Sequence, residues 1–226
     1  MSDKLLLLAV FVISMLLMAG NHRRKRKKIV FFGDSITNLG ARPGGYITRI
    51  VRLLKEADIE YNYELVGAGV DGDTVLDLHD RVDNDILSQG ADIVVIFIGI
   101  NDVQGKLKGG GTNEKEFVTT YEAIIKKLDA AVIKIVICTP TVIGEKINFT
   151  NELDQELETY SQIVRNLASK YELPLVDLRK AFLNYNLIHN VENDDYGILT
   201  FDKVHLNPEG NQLVAEEIWK VLQQVK

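Results

Sequence analysis

A chain of 226 residues, 46% of them apolar and 26% charged, is long enough for one domain with a sizeable buried core. Its net charge of −6 excludes a general nucleic-acid binder, whose surface must oppose phosphate. The single cysteine, Cys138, excludes an internal disulfide and a cysteine-built metal site, and its place in an apolar run makes it a core residue.

The N-terminus stands apart from the rest. Leu5 to Gly20 is almost wholly apolar, short for a membrane span and suited to the hydrophobic region of an export signal, ending in Met18-Ala19-Gly20. The basic run Arg23-Arg24-Lys25-Arg26-Lys27-Lys28 follows directly, and such a flank favours the cytoplasmic side. Residues 1–28 therefore read as a signal peptide or membrane anchor ahead of a domain over 29–226. The protein is expected to be exported (periplasmic or secreted) or anchored through residues 5–20, the alternative being an anchor with a cytoplasmic domain.

From there the elements follow in order. Ile29-Val30-Phe31-Phe32 reads as a buried strand, and Gly33-Asp34-Ser35-Ile36-Thr37 follows it, which places Ser35 just past a strand end. Tyr46 to Ala57 carries Ile47, Ile50, Val51 and Leu54 at helical spacing. Tyr63-Glu64-Leu65-Val66 is a second strand, ending in a loop from Gly67 to Thr74, where a helix opens that runs through Leu87. Ile93 to Ile98 is a continuous apolar strand, as in a sheet covered on both faces. It stops at Gly99-Ile100-Asn101-Asp102. A glycine-rich loop over 105–111 precedes a helix to Leu128, capped by Asn113 with Glu116. Ile133 to Cys138 is the fourth strand, Glu152 to Tyr171 a long helix, and Pro174 to Leu178 the fifth strand. Asn207 caps the last helix, with Pro208 at its first position. This alternation predicts a three-layer α/β/α sandwich on a five-stranded, mostly parallel sheet. In such a sheet the loops after the strands converge on one edge.

Chemistry at that edge needs a nucleophile, a base, an orienting acid and oxyanion donors. Ser35 alone is weak, since serine in such a loop is ordinarily a cap or turn residue. Of the four histidines, His22 belongs to the basic tail, His79 beside Asp77 and Asp80 reads as a solvated surface residue, and His189 as a partly buried structural one. His205 lies in Asp202-Lys203-Val204-His205, where the carboxylate three residues back can accept an imidazole N–H and fix the tautomer. A histidine packing beside the helix start is the plainer account of that spacing. The backbone N–H groups of Ser35 and Gly72 are candidate oxyanion donors, glycine permitting close approach. Asn101 could add its amide, or simply form a turn.

These residues carry a resemblance. Gly33-Asp34-Ser35-Ile36-Thr37, Gly69-Val70-Asp71-Gly72-Asp73-Thr74, Gly99-Ile100-Asn101-Asp102 and Asp202-Lys203-Val204-His205 resemble, in order, the first, second, third and fifth blocks of the SGNH (GDSL-type) hydrolase superfamily. The resemblance spans Lys28 to the C-terminus and implies a flavodoxin-like SGNH fold. It implies that Ser35 is the nucleophile, His205 the general base and Asp202 its orienting carboxylate, with Ser35, Gly72 and Asn101 forming the oxyanion hole. It departs from the family at Gly67, where the second block often has asparagine.

The expectation is a serine esterase working through an acyl-enzyme, with no metal and no organic cofactor. The substrate would be a small-molecule ester such as an acylated sugar or a lysophospholipid. The absence of a large apolar lid favours short acyl groups such as acetyl. The rival from another class is a non-catalytic, membrane-associated binding module that keeps the fold and sets its basic run against anionic lipid. The acidic pairs Asp71/Asp73, Asp83/Asp85 and Asp194/Asp195 lack EF-hand spacing and read as solvated faces. Lys108-Gly109-Gly110-Gly111-Thr112 lacks phosphate-loop order and reads as a rim of the site. Asn148-Phe149-Thr150 is a glycosylation sequon, meaningful only in a eukaryotic secretory setting.

Overall fold

Lys27–Gly33 forms the first strand, β1, and its last five residues are all buried. In the computed structural model, which describes residues 26–148 and 150–225, β1 lies inside a five-stranded sheet of order β2-β1-β3-β4-β5. The other strands are β2 (Tyr63–Gly69), β3 (Ile93–Phe97), β4 (Lys134–Cys138) and β5 (Leu175–Val176), and every pairing is parallel. The apolar segment over 5–20 and the first half of the basic run lie outside the described residues, as does the central residue of the sequon. Among the described residues no helix is long and apolar enough to cross a membrane.

Among the described residues eight α-helices accompany the sheet: α1 (Ser35–Gly40), α2 (Tyr46–Glu56), α3 (Val75–Val82), α4 (Ile100–Gln104), α5 (Glu114–Ala130), α6 (Asp154–Lys170), α7 (Leu178–His189) and α8 (Pro208–Leu222). α2 packs on α8, and α3 on α5, which in turn touches α6. The two sets cover opposite faces of the sheet. All five residues of β3 are buried in consequence, as its unbroken run of apolar side chains predicts. Phe31, Tyr46 and Phe97 pack edge to face beneath α2, and Phe117, Tyr121 and Tyr160 do the same beneath α5 and α6.

Four local differences from the sequence reading have physical causes. β2 runs on through Gly67, Ala68 and Gly69 instead of stopping at Val66, pairing with Phe31, Phe32 and Gly33. A Cβ at Gly67 would lie 2.7 Å from the Ala41 Cβ, so its bare backbone admits the chain after α1. The helix expected to reach Leu87 loosens at Val82 into one π turn, Asp83–Leu87. Leu178–His189 is a full helix, capped by the Asp177 carboxylate accepting from the Lys180 N–H; Asp177 and Leu178 had read as strand. His189, at the end of that helix, is exposed rather than partly buried, its ring 4.1 Å from that of Tyr185.

The strand order reverses direction at β1 and β3. The crevice beyond their C-terminal ends is the topological switch point at which parallel sheets place their chemistry. Ser35 follows β1 there, and Asn101 follows β3.

Candidate active site

Ser35 occupies the first position of α1, and Asp34 caps that helix, its Oδ1 accepting from the Ile36 N–H at 2.9 Å. The Ser35 Oγ lies 2.9 Å from His205 Nε2, across 170 residues of chain. On the other side of the ring, His205 Nδ1 lies 2.7 Å from Asp202 Oδ2. A carboxylate there places the proton on Nδ1 and leaves the Nε2 lone pair facing the serine hydroxyl. Asp202 is steadied in turn, its Oδ1 accepting from the backbone N–H of His205 at 2.7 Å and of Val204 at 3.1 Å. Partial burial opposes its charge, but the imidazole and the two amides outweigh burial and hold its carboxyl below the usual carboxylate range. The Phe201 ring stacks on the imidazole, with centroids 5.7 Å apart and planes within 18°.

The three candidate oxyanion donors are placed by the ends of β1, β2 and β3. The Ser35 N–H has no acceptor among the described residues, as expected at the first turn of a helix. Gly72 has φ of +87°, in the left-handed region that favours glycine. The Asn101 Nδ2 donates to the Asp73 carbonyl at 2.9 Å, which aims the side chain while leaving its second N–H free. Asn101 is thus more than a turn residue. It is the second residue of a short helix, α4, capped by Gly99, rather than the turn-forming asparagine of Gly99-Ile100-Asn101-Asp102.

Sequence reasoning missed the residues that hold these loops together. Arg81 of α3 donates to the carbonyls of Gly33 at 2.8 Å and Ala68 at 3.1 Å, and its Nε to Asp73 Oδ2 at 2.6 Å; it also pairs with Asp85 and lies over the Phe32 ring. One side chain therefore ties the end of β1 to the loop that carries Gly72. Asp102, fully buried, accepts from the Val75 N–H at 3.1 Å and so ties the Asn101 segment to the same loop. Burial pushes the Asp102 carboxyl up to about 6 and that of Asp34 up to about 7. Arg81 had no signal beyond its charge on a helix face, and Asp102 was visible only as the last residue of its tetrapeptide. The acidic pairs read as solvated faces are largely partnered. Asp71 accepts from Asn38, Asp83 pairs with Lys127 and Asp195 with Lys203.

Ser35, His205 and Asp202 are brought into hydrogen-bond contact, and the Gly72 and Asn101 segments are joined through Asp73. The family model of the GDSL-like lipase/acylhydrolase family matches residues 31–213. The chain belongs to that family. A curated relative, an acetylxylan esterase of Geobacillus stearothermophilus, is 31% identical over 204 residues, 83% of this chain and 90% of that protein. Among solved structures, the acetyl xylan esterase AlAXEase is 49% identical with a TM-score of 0.84, covering 85% of this chain and 98% of its own. The Geobacillus stearothermophilus acetylxylan esterase Axe2 is 27% identical with a TM-score of 0.76, over 87% of this chain and 94% of its own. Three of its structures are described as catalytic mutants, altered at a histidine, a serine and an aspartate. The fold is the SGNH-type α/β sandwich, and the protein is an ester-hydrolysing enzyme. The non-catalytic reading gives way to that family membership.

Proposed function

We propose that this protein is a serine esterase that removes short acyl groups, acetyl foremost, from acylated carbohydrate through a Ser35–His205–Asp202 triad. The observation that carries the reading is the continuous relay from Ser35 Oγ through both ring nitrogens of His205 to Asp202, at 2.9 and 2.7 Å. Axe2 supports it, its histidine, serine and aspartate catalytic mutants matching the triad in residue type. The acetylxylan esterases among the relatives support the acetyl ester class.

In the proposed mechanism the Ser35 Oγ attacks the ester carbonyl carbon while His205 Nε2 takes its proton. Negative charge builds on the carbonyl oxygen, facing the N–H groups of Ser35 and Gly72 and the free amide hydrogen of Asn101. The carbon–oxygen bond to the alcohol then breaks as imidazolium returns its proton to the leaving oxygen. Water, deprotonated by the same nitrogen, attacks the acyl-enzyme and releases the acid and Ser35. Asp202 holds the tautomer throughout and stabilises the imidazolium.

The test is hydrolysis of acetylated xylo-oligosaccharides and of a p-nitrophenyl ester series from acetate to long acyl. Ser35→Ala and His205→Ala are expected to lower kcat by about 10³-fold or more, and Asn101→Ala by about 10²–10³-fold. A wild-type optimum at long acyl chains would overturn the acetyl assignment, and activity surviving in Ser35→Ala would overturn the triad. The apolar segment over 5–20 enters the same proposal as an export signal or anchor, supported by its 16-residue length and basic flank. Fractionation and N-terminal sequencing of the expressed full chain decide between cleavage and retention.

A further inference from the structure

Glu145 is a carboxylate with 1% of its surface exposed, in the loop between β4 and α6, far in sequence from every motif residue. Among the described residues no cation pairs with it, and its carboxylate oxygens are met by backbone instead. Its Oε1 accepts from the backbone N–H groups of Leu199 and Thr200, both at 2.7 Å, and its Oε2 from that of Ile198 at 2.8 Å. Three consecutive amides converge on one side chain, the concave arrangement in which backbone binds an anion. They belong to the segment that leads into Asp202 and His205. Gly197, immediately before them, has φ of +105°, and its N–H donates to the Thr200 carbonyl at 2.8 Å.

The backbone of Glu145 is tied to the same region. Its N–H donates to the Asp195 carbonyl at 3.0 Å, and its own carbonyl accepts from the buried Asn190 side chain at 2.7 Å. The Gly144 N–H donates to the Lys203 carbonyl, between the two acid–base residues, at 2.9 Å. Beyond the three amides the chain closes on itself, Thr200 bridging Leu206 and the Phe201 N–H donating to the His205 carbonyl at 3.0 Å. Asp202 and His205 sit inside that closed loop. Its base is therefore anchored to the β4–α6 loop by the Glu145 carboxylate, and its far end by the cap of α8.

We infer that Glu145 is a positioning residue for catalysis, its charge holding the 198–206 loop in the register that keeps His205 Nε2 on the Ser35 hydroxyl. The inference rests on the triad reading above. A charged acceptor strengthens each of the three hydrogen bonds, and a neutral isostere cannot match it, since an amide presents two hydrogens to donors that need acceptors. Loss of the anchor leaves the loop closed but free to shift. Displacements near 1 Å at reacting groups cost up to about 10²-fold in rate, so the effect falls on the chemical step served by His205.

The test compares full-length wild type, Glu145→Gln and Ser35→Ala on p-nitrophenyl acetate, with concentrations corrected by fluorophosphonate titration of the serine where it is present. Glu145→Gln is expected to lower kcat about 10- to 100-fold with KM within about twofold, and to weaken the downfield proton resonance of the His205 Nδ1–H bonded to Asp202. Wild-type kcat and an unchanged resonance in Glu145→Gln, with Ser35→Ala inactive, overturn the inference. Activity surviving in Ser35→Ala overturns the triad reading itself. If Glu145→Gln does not fold, Glu145→Asp takes its place, retaining the charge on a shorter stem. A lowered kcat at unchanged KM in that variant supports the inference, and wild-type kcat overturns it.

Discussion

Asp34 is buried beside Ser35 and accepts the Ile36 N–H, and burial raises its carboxyl to about 7. Asp102 and Asp73 raise it further by like charge, while Ile36 and His205 oppose them. A carboxyl whose folded pKa lies above its unfolded value makes the folded state bind more protons between the two, so stability falls as pH rises through that window. Asp102, raised to about 6, adds to the fall. Asp202 works in the opposite direction, its lowered pKa giving stability above the usual carboxylate range that is lost as pH drops through the lowered value. The expected outcome is a decline in wild-type stability from about pH 4 to about pH 7, by up to about 1.4 kcal/mol per pH unit for each of the two carboxyls, steepest below about pH 6 where both contribute. Asp34→Asn keeps an oxygen for the Ile36 N–H and should flatten much of that decline. Urea unfolding midpoints from pH 4 to 8 provide the measurement, and an equal slope in both proteins would refute the assignment.

At the scale of elements, α3 holds the site together through Arg81. Its guanidinium reaches Gly33 at the end of β1, Ala68 in β2 and the Asp73 carboxylate, while the Asp73 carbonyl receives the Asn101 amide. Removing the cation strands Asp73, whose carboxyl burial already raises and Arg81 lowers. Arg81→Ala is therefore expected to destabilise the fold by about 3 kcal/mol and to reduce kcat more than it raises KM. Arg81→Lys should restore little, because a single ammonium cannot replace a planar fork that reaches several acceptors. Chemical denaturation beside steady-state kinetics checks both. Wild-type kcat in a folded Arg81→Ala would show that the loops hold without it. The same scale explains Gly67. The departure from asparagine at that position sits where β2 presses against the Ala41 Cβ, and the Asn38 amide bonded to Asp71 at 2.7 Å braces the loop from the α1 side instead.

Over the whole molecule, the sheet order 2-1-3-4-5 sends one crossover to one side of β1 and the remaining ones to the other, which opens the crevice at Ser35. Its rigidity comes from the doubly covered centre, where Val94, Val95 and Ile96 are fully buried. Ile96→Ala should cost about 2–5 kcal/mol without changing the denaturant slope, because one core serves the described domain. A biphasic transition in that variant would point to two folding units instead. The groove of about 930 Å³ between α6 and α7, lined by Gln155, Glu158, Arg179 and Leu183 among others, contains none of the five proposed site residues. The proposed triad lies open, with Asp202 and His205 side chains 42% and 30% exposed.

The amino-acid sequence by itself determined the alternation of strands and helices, the buried centre and the five motif residues. Hydrophobic period and turn chemistry are local, and each motif residue lies beside the element that presents it. Helix α7 was less legible, because its Asp177 cap follows a strand of only two residues and its exposed end carries Leu187 and Ile188. Only the tertiary structure decided that Ser35 meets His205 across 170 residues, that Arg81 and Asp102 join the loops carrying Gly72 and Asn101, and that Glu145 accepts from the segment leading into Asp202 and His205. Those partners are chosen by the order of strands in the sheet, which brings distant loops to one edge, and no periodicity along the chain records which carboxylate will face which amide.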